Sequence, residues 1–187
     1  MSKSNQLYRE GGDNKMNGIA VLGIDAGKTT GLGFVKNGVV LNLMTTDFWC
    51  AIDEINLFVI NNEKHHIVIE LPKTDHVWQS KAKRGGNYSN SIAVDVGRVI
   101  CQAELFVEYC QKHGIHHSTR HPQGKIDAKM FNKITGWDKS SNQHTRDAAM
   151  LAFNYNSYFR ELGMATTLCD SWLCADKFFP VPLKRLL

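Results

Sequence analysis

Apolar and polar positions along this chain change period several times, and each change marks an element. Residues 19–25, IAVLGID, form a short apolar run closed by Gly27, which fits a buried strand. A second run, GLGFVKNG at 31–38, ends in Asn37-Gly38, the dipeptide that most favours a tight hairpin turn. The chain returns through VVLNLMTT at 39–46 as a third strand. Asp47 is placed to cap a helix whose face carries Trp49, Ile52, Ile55 and Val59 and which ends at Asn61-Asn62. HIVIE at 66–70 reads as a fourth strand, apolar up to its final carboxylate, and Pro72 forbids much further pairing.

Residues 71–89, LPKTDHVWQSKAKRGGNYS, interrupt this regularity. Lys73, Lys81, Lys83 and Arg84 stand there against one acid, Asp75, with Trp78 and Tyr88 interleaved. Loops of this length inside a domain are usually functional or disordered. A long helix over 90–113 follows, with Ile92, Val96, Val99, Ala103, Phe106 and Cys110 on one face, Asn90 or Ser91 as its cap and Gly114 as its stop. Ala93, Gly97, Cys101 and Leu105 trace a second, narrower stripe, suited to a dimer contact or to packing within one subunit. IHHSTR at 115–120 is expected to be a fifth strand, 127–134 a short helix ending at Gly136, and 143–160 the last helix. Hairpins make the first three strands antiparallel, and helical crossovers make the later pairs parallel. The expected fold is therefore α/β: a mixed five-stranded sheet with helices on its faces. Residues 1–17 read as a flexible N-terminal tail, 18–162 as one domain, and 163–187 as a C-terminal extension without clear period.

Composition narrows the classes. The 187 residues are 43% hydrophobic and 21% charged, a globular mixture with no apolar run long enough to span a bilayer. The first residues lack the apolar core of a signal peptide. Five cysteines, spaced for neither a disulfide framework nor a zinc site, suit free thiols in a reducing cytoplasm. A net charge of +4 is compatible with a polyanionic partner without requiring one.

GIDAGKTTG at 23–31 looks at first like a phosphate-binding P-loop. That motif needs four residues between its glycines to form a wide ring of N–H groups. Only Ile24, Asp25 and Ala26 separate Gly23 from Gly27, and Asp25 would put a carboxylate where the phosphate belongs. No nucleotide cofactor is expected. Asp25 instead ends the first strand and Glu70 ends the fourth, two strands that this topology makes parallel neighbours. Ligands bind at such strand ends in open α/β sheets. His144 and Asp147, three apart, share a face of the last helix. Singly, each acid is ordinarily a cap or a salt-bridge partner. Together, three carboxylates with a histidine call for a divalent counter-charge, Mg²⁺ or Mn²⁺. Two such ions, roughly 4 Å apart, can support phosphodiester hydrolysis. Asp95, in the long helix, is not at a sheet edge and is set aside.

Three stretches together resemble the ribonuclease H-like fold, and within it the RuvC-type Holliday junction resolvases: GIDAGKTTGLGF, HIVIELP and HTRDAAMLAF. The resemblance spans about residues 18–160, and only the ordered set is specific. Its compact form is similar to phage and other viral members. It implies a Mg²⁺-dependent homodimer that cuts opposed strands of a four-way DNA junction. Asp25, Glu70 and Asp147 would be its carboxylate ligands, with His144 at a fourth position where some relatives have a carboxylate. Bacterial members carry an aromatic soon after the Glu. Here the first is Trp78, which either takes that role or anchors its own loop. Lys73, Lys81, Lys83 and Arg84 become phosphate contacts, as do Lys28, Lys125 and Lys129, for which a plain surface role is the alternative. A nuclease for flaps, forks or RNA–DNA hybrids and a non-cleaving junction clamp share these features. A sugar-kinase or actin-like ATPase is a further alternative, but those proteins need two such domains to enclose the nucleotide.

Overall fold

A computed structural model describes residues 18–72 and 88–161, with side chains given for 18–72 and 94–155. The expectations for 1–17, for 163–187, and for Lys73, Trp78, Lys81, Lys83 and Arg84 lie outside these residues. The elements are β1 (Ala20–Asp25), β2 (Thr30–Lys36), β3 (Val39–Thr46), α1 (Phe48–Asn61), β4 (His65–Glu70), α2 (Tyr88–Lys112), β5 (His117–Arg120), α3 (Ala128–Thr135) and α4 (Gln143–Glu161). They build one five-stranded sheet of order β3-β2-β1-β4-β5. β2 pairs antiparallel with β1 and β3, while β4 runs parallel to β1 and β5. This is the expected mixed sheet. Among the described residues, no helix is long and apolar enough to cross a membrane.

Local chemistry explains the joints. Asn37 and Gly38 both take positive φ, 55° and 74°, as the two-residue hairpin turn requires. Asp47 caps α1 by accepting from the Cys50 N–H at 3.0 Å, and Asp127 caps α3 by accepting from Met130 at 2.7 Å. At the end of α2, Gly114 turns left-handed at φ 64°, and the Ile115 N–H reaches back to the Cys110 carbonyl at 2.8 Å. That cap claims Ile115, so β5 begins at His117 and not at 115. α2 in turn starts at Tyr88, ahead of the Asn90 or Ser91 expected as its cap.

Alternation along the strands divides the core into two layers. Leu22, Ile24, Leu32, Phe34, Ile67 and Ile69 face α1 and α2 and meet Ile55, Phe58 and Phe106. Val21, Val35, Val40 and Val68 face the other way, toward Phe131 of α3 and Ala149, Ala152 and Tyr155 of α4. Each fully buried phenylalanine contributes on the order of 2 kcal/mol through the apolar area it removes from water. One expectation fails: Trp49 is 75% exposed. Phe48 takes the inward position on Phe106, with ring centroids 4.7 Å apart, and the buried stripe runs through Ala51, Ile55 and Phe58. Ile52 and Val59 pack only at its margin.

α4 lies unusually close to the sheet, and glycines make room for it. A Cβ on Gly23, Gly31 or Gly33 would overlap backbone atoms of Ala148, His144 or Ala149 respectively. Two glycines of the apparent phosphate motif, Gly23 and Gly31, therefore serve helix packing.

Candidate active site

Asp25 belongs to the same alternating set as Val21 and Gly23, and Glu70 to that of His66 and Val68, so both point to the α4 side. Each lies one residue beyond the last β1–β4 pair named in the register, Ile24 with Ile69. The start of α4 is fixed by Asn142. Its Oδ1 accepts from the Thr145 N–H at 3.0 Å, its own N–H meets Thr145 Oγ1 at 3.2 Å, and its Nδ2 donates to Thr45 Oγ1 of β3 at 2.7 Å. This reciprocal cap seats the first turn of the helix over β2 and β3. His144 then reaches Asp25, with Nδ1 2.7 Å from Oδ2. Asp147, one turn on, accepts from Gln143 Nε2 at 2.6 Å.

The electrostatics tie these groups together. Burial raises the Asp25 carboxyl above its usual range, against the bond and charge of His144, and the Asp147 charge adds to the rise. Glu70 is pushed up to about 7, first by burial and then by the charges of Asp25 and Asp147, with Lys125 and His144 opposing. Asp25, Glu70, Asp147, His144 and Lys125 thus share one local field. Lys125 sits on the exposed loop between β5 and α3, which α4 holds through Asn154 Nδ2 to Gln123 Oε1 at 2.9 Å. A groove lined by Glu70, Asp147, Gln123 and Ile126 opens beside the acids. Lys28 is exposed in the turn between β1 and β2, and Lys129 is exposed on α3. Asp95, on α2, stands 3.6 Å from Arg98.

As the side chains stand, no three His, Cys, Asp or Glu residues among those described are close enough to grip one ion together. Asp25 is engaged by His144 and Asp147 by Gln143. The donor set still suits a hard divalent cation: three carboxylates, two of them raised by burial and mutual repulsion, with one imidazole. Sequence reasoning named these groups but missed Asn142, Gln143 and Arg146. A Gln–Asp pair four apart on a helix was the available signal for Gln143.

No protein-family model matches the sequence, and no curated protein matches it. A solved structure is similar: T. thermophilus RuvC in complex with Holliday junction substrate, with TM-score 0.53 and 16% sequence identity, covering 79% of this chain and 98% of that chain. The fold is RuvC-like. At this identity the likeness speaks for the ribonuclease H-like architecture and for nothing finer.

Proposed function

We propose that this chain is a divalent-cation-dependent endonuclease that cuts branched DNA, four-way junctions first among its substrates. One observation carries the reading: Asp25, Glu70 and Asp147, with His144, gather at a single sheet edge where Glu70 is raised to about 7. The RuvC structure supports the choice of substrate, because the DNA in that complex is a Holliday junction. Asp25, Glu70, Asp147 and His144 would hold Mg²⁺ or Mn²⁺, two ions in the full site. When bound, these ions supply an activated water and a charge for the leaving oxygen. His144 orients Asp25 through Nδ1 and carries its second ring nitrogen on a half-exposed side chain, suited to moving a proton. Lys125 offers its charge to the backbone phosphate beside the acids, with Lys28 and Lys129 as outer contacts.

Paired cuts need two copies of the site. A homodimer of the compact, viral kind would meet this need, with the exposed Gly97, Cys101 and Leu105 of α2 as its contact face. The test is cutting of synthetic four-way junctions beside flaps, forks and linear duplex. Asp25→Asn, Glu70→Gln and Asp147→Asn are each expected to lower cutting on the order of a thousandfold while DNA binding persists. Wild-type rates in any one of them would remove that residue from the site. Faster cutting of flaps or forks than of junctions would shift the substrate within the same chemistry.

A further inference from the structure

Arg146 lies beside Asp147 in sequence but makes its contacts elsewhere. Its Nη1 donates to the Ser141 carbonyl at 2.9 Å and to Ser141 Oγ at 3.4 Å, its Nε to the Ile126 carbonyl at 3.3 Å, and its Nη2 to Gln143 Oε1 at 2.9 Å. Guanidinium has donors only, so the Gln143 oxygen must face Arg146. The amide nitrogen is thereby turned to Asp147 Oδ1, 2.6 Å away. We infer that Gln143 and Arg146 are positioning residues of the site, a relay that fixes the Asp147 carboxylate for a divalent cation and clamps the loop bearing Lys125 against α4.

The arrangement has a chemical rationale. An arginine bonded directly to Asp147 would neutralise the charge a cation needs. Interposing a neutral amide passes on the orientation without the charge. Asp147 keeps its second oxygen for the ion while the first is held. The same guanidinium grips Ile126, one residue after Lys125, so one side chain sets two parts of the site.

This inference rests on the nuclease reading, and its test separates the two. Mn²⁺ is titrated calorimetrically into the full-length chain, and junction cutting is measured in parallel. Gln143→Met keeps the length of the side chain and removes the donor. It is expected to weaken Mn²⁺ binding about tenfold or more, to lower kcat, and to leave the KM for junction DNA and the melting temperature unchanged. Arg146→Ala is expected to weaken Mn²⁺ binding in the same direction and also to lower the melting temperature. If Gln143→Met binds Mn²⁺ like the wild type while Asp147→Asn does not, the relay is wrong and the nuclease reading stands. If the wild type takes up no Mn²⁺, the nuclease reading falls and the relay falls with it.

Discussion

β4 carries an ionisable group on the α4 side near each end, His66 buried and Glu70 half-buried, and the two ends differ in kind. Glu70 is pushed up to about 7 and His66 down to about 3, in both cases chiefly because burial disfavours the charged form. At the His66 end the problem is already solved. The neutral ring stacks on Tyr155 with centroids 4.3 Å apart and meets Ser118 Oγ at 3.0 Å. Its neighbours His65, His116, His117 and Arg120 only reinforce neutrality. At the Glu70 end, Asp25 and Asp147 add negative charge to a group that burial already disfavours. A shifted pKa by itself therefore does not mark a reactive site. What distinguishes the Glu70 end is like charge accumulating where a cation would relieve it.

Acid separates the two ends. His66 is depressed in the folded chain, so its contribution to stability is complete above the unfolded value of 6.5 and is lost as pH falls from there toward 3. The loss is on the order of 1 kcal/mol per pH unit. Glu70 has the opposite sign: its contribution is present below 4.5 and is lost as pH rises through about 7. Urea midpoints measured from pH 8 to pH 4 should fall with acid less in His66→Phe than in the wild type and more in Glu70→Gln, because each variant removes one of two opposed contributions. Parallel profiles in the wild type and His66→Phe would place the acid sensitivity elsewhere. Gly33→Ala acts on both ends at once by lifting α4 from the sheet, at a cost of about 2 kcal/mol. A wild-type melting temperature in that variant would contradict the close packing. The smallest effect belongs to Trp49→Ser, three-quarters exposed on α1 and packed edge-on against Phe48, which should change stability by less than about 0.5 kcal/mol.

Much of this architecture was legible in the sequence. Apolar runs located the strands, Asn37-Gly38 the hairpin, and Asp47 the cap of α1, because each signal is local. Their order predicted that β1 and β4 would run side by side with Asp25 and Glu70 at one edge. Other features depended on choices that no local pattern records. Trp49 fitted the helical period as well as Phe48 does, and only packing against Phe106 decided between them. Gly23 and Gly31 looked like parts of a phosphate loop because the helix that needs their absent side chains lies more than a hundred residues away. Arg146 reads as an ordinary exposed helix residue until the loop at Ile126 folds beside it.

The most direct test of the charge argument is the effect of Mg²⁺ on melting temperature at two pH values, in the wild type and in Glu70→Gln. At pH 8, where Glu70 is ionised, Mg²⁺ should stabilise the wild type by about 2–3 kcal/mol at a hundred times its dissociation constant. At pH 5.5, where Glu70 holds its proton, and in Glu70→Gln at either pH, the shift should shrink. Identical wild-type melting temperatures at pH 8 with and without Mg²⁺ would contradict the account.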